Sequence, residues 1–349
     1  MGMGTRMRLG GPARSGGAIA SLALFLIGFL NPGAAQTAGS DAVSDAAEAR
    51  IDALLATPSL SVPAPQTNLF ATAPGLEEQA PAPRFTLNGL LPIGYNSNVE
   101  AAPVGGVAAA EISPVASLSW SAAAFDLPLR LTASLRVESD RFIEASQADL
   151  DKLGGSLRLQ YVSPDDDQSV SPYFAFAPRV DFAPTFARVV ATRQDLNLGF
   201  NKTFNVDAAW QRIPPAGNTR AQTVWSFGLT VFAQRRFRDP APSSSALYLI
   251  PSVSYVFTEQ WSFNFGVETI WRRFDRNVGF RREDWLVEPI ATLEFALPAA
   301  WLGAEDVARL MGRPALDFQA SYETASANLP TVAFSRWTAG VALKTGWRF

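Results

Sequence analysis

The sequence predicts an all-β chain folded as a transmembrane antiparallel up-and-down β-barrel of about twelve strands, and three observations predict it. The first is the end of the chain, where Ser335 to Phe349 alternate without a break. Trp337, Ala339, Val341, Leu343, Thr345, Trp347 and Phe349 share one face, while Arg336, Thr338, Gly340, Ala342, Lys344, Gly346 and Arg348 share the other. The second is that this two-residue period recurs about a dozen times from Arg84 onward. The third is an export pattern at the start, which places the alternation where lipid can meet the apolar face and water or a polar lumen the other.

The N-terminus carries that pattern in Arg6, Arg8 and Arg14, followed by an apolar run from Ala18 to Leu30 and the small residues Gly33 and Ala35. The run is too short to span a bilayer as a helix, so residues 1–35 read as a secretory signal cleaved before Gln36. No later stretch approaches eighteen uninterrupted apolar residues, so helical spans are not expected. The chain has no cysteine, which closes the lipoprotein route and excludes disulfides and thiolate metal sites. Its 29 basic residues fall to 26 without the three signal arginines, against 32 acidic, a balance that gives no reason to expect nucleic acid.

Residues 36–84 form an Ala/Pro-rich segment in which Pro58, Pro63, Pro65, Pro74, Pro81 and Pro83 oppose regular structure. Ser40 can cap a short helix over Asp41 to Ala56, with Val43, Ala47, Ile51, Leu54 and Leu55 near one face. Two readings stand: a periplasmic tether, or a plug that enters the lumen or docks a periplasmic partner.

The barrel itself is expected over 85–349. Its strand-length segments run 84–97, 110–121, 127–140, 150–162, 170–183, 190–204, 221–237, 246–258, 260–274, 284–297, 314–325 and 333–349. In the ninth, Trp261, Phe263, Phe265, Val267, Thr269 and Trp271 alternate with Ser262, Asn264, Gly266, Glu268, Ile270 and Arg272. The two tryptophans are ten residues apart, about 23 Å along the normal of a strand tilted near 45°, which matches an outer-membrane apolar band. Trp285 and Phe295 repeat the ruler in the tenth segment. With Trp337, Trp347 and Phe349 these aromatics make the expected membrane girdles.

Pro114 with Trp120, Pro251 with Phe257 and Pro289 with Phe295 share a six-residue offset. Proline inside a strand suggests a bulge or bend at a common height. Between the last two hairpins, Ala304 to Met311 reads as a short interfacial helix anchored by Trp301.

The chemistry is defined by what is missing. The chain has no histidine, so Ser-His and Cys-His catalysis are excluded and the usual metal ligand and neutral-pH base are absent. Ser134, Ser156 and Ser226 read as small lumen or strand residues. Asp165-Asp166-Asp167 reads as a periplasmic turn lacking the further oxygen ligands that calcium needs. Gly105-Gly106 and Gly154-Gly155 do not sit between a strand and a helix, so neither is a phosphate loop. No enzyme, metal or cofactor is expected.

Function is therefore expected inside the barrel. Parity turns inward Arg130, Arg136, Glu138, Arg158, Arg179, Asp181, Asp195, Arg236, Glu268, Arg272, Glu288, Glu294, Asp317, Glu323, Arg336, Lys344 and Arg348, nine cations and eight anions. A basic residue facing the lipid midplane would cost about 2–4 kcal/mol, which enforces this parity. The charges can line opposite walls of an open pore, or pair across a narrow lumen and close it. Twelve strands leave more room than eight, which favours a narrow water-filled channel. Arg235-Arg236, Arg272-Arg273 and Arg281-Arg282 are expected at the extracellular rim, facing lipopolysaccharide phosphates, solvent or anionic solutes.

The terminal Trp347-Arg348-Phe349 resembles the signature by which the barrel assembly machinery recognises Gram-negative outer-membrane proteins. Gly94-Tyr95-Asn96-Ser97-Asn98-Val99 with Ala102-Pro103 resembles the first-strand motif of outer-membrane β-barrel porins and, more weakly, of the barrel domain of surface lipoprotein assembly modifiers. The resemblance implies an outer-membrane location and a porin-like channel for small polar or charged solutes. Its second branch implies an accessory barrel for secretion or surface assembly of a polymer or protein. This chain departs from that branch, because residues 36–84 replace the long helical-repeat domain expected before the barrel.

Overall fold

The computed structural model describes residues 84–99, 101, 106–124, 127–162, 170–207, 223–258, 260–275, 282–303, 305–312, 314–329 and 332–348. The expected signal, the Ala/Pro-rich segment before Arg84, the Asp165–Asp167 turn, Arg281 and Phe349 lie outside them.

Alternating segments that cannot satisfy their backbone alone pair with their neighbours in sequence, and the last pairs with the first. β1 is Arg84–Asn96 and β2 is a strand in two pieces, Ala109–Ile112 and Val115–Ala123. Then follow β3 Leu129–Phe142, β4 Leu150–Tyr161, β5 Ser171–Phe182, β6 Val189–Asp207 and β7 Thr223–Asp239. The ring continues through β8 Ser244–Val256, β9 Trp261–Phe274, β10 Glu283–Ala296, β11 Ala315–Ala327 and β12 Phe334–Arg348. β12 closes on β1 in one unbroken antiparallel register, from Thr86 opposite Arg348 to Asn96 opposite Thr338. The result is a closed twelve-stranded antiparallel barrel, which leaves no sheet edge among these strands. With twelve strands, Arg84 and Arg348 lie at the same end, called here the terminal end; the other is the loop end.

Each expected strand matches an observed one to within a few residues. The expected bulges do not form. Either side of Ser113-Pro114, Leu90 faces Val115 and Ile93 faces Ile112, so two residues oppose two and none is extra. The two pieces of β2 are one strand with a gap. Pro251 keeps its pairing with Leu229 on β7, while the rungs joining it and Ile250 to β9 are missing. Pro289 likewise keeps Val267 on β9 and loses the rungs from Glu288 and Pro289 to β11. Each proline lacks an N–H toward one neighbour only, so the register survives with a local gap.

The apolar face turns outward, where Leu198, Leu247, Trp285, Phe318, Tyr322 and Trp337 are exposed. The interior is polar at the terminal end and densely packed at the loop end. There Ile270, Leu286, Tyr248, Ala246, Ala325 and Phe334 form an apolar cluster with Ala101 from the β1–β2 connection. A second cluster joins Val99 and Ala109 to Phe142, Ala145, Ala148 and Leu150. The expected short helix is α1, Glu305–Leu310, after a 3-10 turn at Ala299–Leu302. It sits at the terminal end, where the Trp347 indole N–H donates to the Leu310 carbonyl at 2.9 Å and Trp301 is exposed.

Candidate functional site: the charged interior

Directly paired residues share a face, so the registers carry one parity around the ring. Asn88, Ser117, Arg136, Gly154, Arg179, Arg193 and Arg238 succeed one another inside β1 to β7. Glu268, Glu288, Glu323 and Arg336 do the same on β9 to β12. Glu288 and Glu323 are brought abreast by the continuous register on both sides of their missing rung. All the expected inward residues fall on this interior parity; the Arg348 side chain lies outside the described residues. The same rule, carried to the strand ends, reaches further interior charges in Glu111, Asp140, Lys152, Arg193, Arg238 and Asp284.

The charges divide by wall. On β3 to β7 the interior carries Arg130, Arg136, Lys152, Arg158, Arg179, Arg193, Arg236 and Arg238 against Glu138, Asp140, Asp181 and Asp195. On β9 to β12 it carries Arg272, Arg336 and Lys344 against Glu268, Asp284, Glu288, Glu294, Asp317 and Glu323. Strands six apart face each other across a ring of twelve, so β5, the middle of the cationic wall, faces β11 in the anionic one. The interior therefore carries a transverse charge separation.

The charges also divide by height. In the loop-end half nearly all are buried and tied to neighbours on the same wall. The Lys152 ammonium donates to Glu138 at 2.7 Å and pairs with Asp140. Arg136 meets Glu138 and Arg179 meets Asp181, both at 2.5 Å. Asp195 takes Arg193 at 2.6 Å on one oxygen and Arg236 at 3.1 Å on the other. Across the ring Arg336 meets Glu323 at 2.5 Å with both side chains 2% exposed. Nearer the terminal end Lys344 donates to Glu294 at 2.6 Å and lies 4.0 Å from Asp317, with 43% of its side chain exposed. Arg158 lies 3.9 Å above the Tyr173 ring. Around this level the lining is hydroxyl and amide, with Ser134 and Ser156 2.7 Å apart and Ser254 donating to Asn264 at 2.6 Å.

Among the described residues the arginine doublets do not gather into one basic rim. Successive strand residues point to opposite faces, which splits each arginine pair. Arg236 and Arg272 are buried inside, while Arg235 is outside in a fork to Asp275 and Arg273 is 3.3 Å from Glu283. Arg282 turns back onto Asp284 at 2.7 Å.

Of the expected girdle aromatics, Trp347 falls on the outer parity, Phe349 lies outside the described residues, and the other five lie on the outer face and pair across strands. Trp271 opposes Trp285 with ring centres 6.4 Å apart, Trp261 stacks on Phe295 at 4.4 Å, and Trp337 meets Tyr95 at 5.0 Å. Among the described residues no group of three or more acidic, histidine or cysteine side chains is arranged to hold a metal ion.

No family model matches the chain, and no curated protein is similar to it. Solved barrels are. An outer-membrane channel from Pseudomonas putida F1 is 12% identical over 79% of this chain and 100% of its own, with a TM-score of 0.43. The translocator domain of the autotransporter NalP from Neisseria meningitidis is 12% identical over 87% and 98%, with a TM-score of 0.41. LpxR from Salmonella typhimurium is 7% identical over 74% and 99%, at 0.36. The fold assignment rests on the closed ladder rather than on these likenesses.

Proposed function

We propose that the chain is an outer-membrane channel for small polar or charged solutes, narrowed in its loop-end half and selective through its opposed charge walls. The observation that carries the reading is the wall asymmetry among the described side chains, eight interior cations to four anions on β3 to β7 against three to six on β9 to β12. Charge pairing for stability alone needs no such separation; a field across a pore does. The outward apolar face with its aromatic pairs supports insertion in a membrane, and the signal pattern of residues 1–35 supports export to the outer one.

The test is single-channel current across a planar bilayer containing the refolded mature protein. Discrete conductance steps are expected, and Arg136→Gln and Lys344→Gln are expected to move the reversal potential toward cation preference. Unchanged reversal potentials in both would refute charge-set selectivity. A second reading is an accessory barrel with a closed lumen, favoured by the buried pairs and by Val99 and Ala101 packed into the loop end. Deleting residues 40–80 separates the two. A channel keeps its conductance, whereas an accessory factor acting through that segment loses its partner.

A further inference from the structure

Three glutamates that lie abreast on the anionic wall have very different company. Glu268 on β9 is the direct partner of Glu288 on β10, and Glu323 on β11 comes next in the row. All three are buried, at 6%, 6% and 2% exposure. Glu323 is held by Arg336, and Glu288 accepts a hydrogen bond from the Ser321 hydroxyl. Glu268 makes no hydrogen bond or ion pair among the described residues, although it is the one nearest the middle of its strand. Arg272, four residues along β9, lies a row higher and opposite Asp284.

Three carboxylates abreast repel, and a buried carboxylate without a partner is among the costliest groups a protein can hold. The surroundings are also opened rather than tightened. The rungs from Glu268 to Ile250 and from Glu288 to Glu323 are both missing, beside Pro251 and Pro289. Arg272 and Arg236 attract Glu268 without a hydrogen bond to it, whereas Arg336 is paired directly with Glu323.

We propose that Glu268 and Glu288 form a lumenal site for the cationic group of a small solute, an alkylammonium or guanidinium group. The ligand enters from the hydroxyl-lined terminal end and places its charge against the unpartnered Glu268. This deepens the channel reading and rests on it for the route of entry. Binding itself is measurable without conductance.

The probe is putrescine, with 1,4-butanediol as its uncharged counterpart, titrated calorimetrically into the full barrel refolded in detergent micelles. Saturable putrescine binding is expected and butanediol binding is not. Glu268→Gln is expected to weaken putrescine at least tenfold and Glu288→Gln several-fold, with the heat-modifiable gel shift showing that each variant is folded. Equal putrescine affinity in wild type and folded Glu268→Gln would overturn the site, as would no binding to wild type. Binding that depends on Glu268 in a barrel that passes no current would uphold the site and sink the channel.

Discussion

Arg336 illustrates how a single interior residue combines structure with function. Its guanidinium is the cation printed by the fold into a row of three carboxylates, and both members of its pair with Glu323 are excluded from water. A partner removed from a buried pair leaves a lone charge, which costs about 3–5 kcal/mol. Arg336→Met is therefore expected to destabilise the barrel by about that amount in urea unfolding from micelles, because Glu323 would then face Glu288 without compensation. Adding Glu323→Gln to Arg336→Met should recover most of the loss. Lys344 is the contrast. Its ammonium bridges Glu294 and Asp317 but is 43% exposed on its side chain, so Lys344→Gln should cost no more than about 1 kcal/mol. If the two single variants cost the same, burial is not what sets the strength of these pairs.

At the scale of the strand, the closing seam between β1 and β12 is built on close approach. Gly94 and Gly340 are direct partners, and a Cβ on Gly340 would lie 2.7 Å from the Ile93 carbonyl oxygen and 2.8 Å from the Gly94 Cα. Gly340→Val should therefore lower the yield of closed, heat-modifiable barrel at equal expression, whereas Gly266→Ala, whose Cβ would lie 3.5 Å from the Pro251 carbonyl oxygen, should not reduce closure. The period-two pattern made the strands legible because lipid outside and charge inside leave no other placement, and the same parity placed Arg136, Glu268 and Arg336 inside. Other features depend on contacts between distant segments and leave little trace in a local pattern. Tyr248, Phe232 and Phe334 are large and apolar yet face inward, where they pack on one another and on neighbouring aliphatics instead of lipid. Prolines looked like bulges because a missing N–H is visible in sequence, whereas a register that survives it is visible only in the ladder. The arginine doublets looked like one basic cluster because adjacency in sequence hides that neighbours on a strand point apart.

For the whole molecule, the distinction that matters is between charge that cancels locally and charge that separates across the lumen. The close pairs described in the loop-end half, such as Arg179 with Asp181 or Arg336 with Glu323, join residues of the same wall, so this pairing neutralises neighbours without neutralising the walls. What remains is an excess of cations centred on β5 and of anions centred near β11. Such a field acts over the Debye length, about 30 Å at 0.01 M salt and about 3 Å at 1 M. At low salt it spans a twelve-stranded lumen; at high salt it is confined to the lining. The ratio of anion to cation permeability should therefore depart from the ratio of free mobilities in dilute salt and approach it as the concentration rises toward 1 M. Lining charges that act only by direct contact with the permeating ion would give a ratio that holds across that range. Reversal potentials measured at a fixed concentration gradient over a series of mean salt concentrations distinguish the two, because only a field reaching beyond contact is lost to screening while every side chain stays where it is.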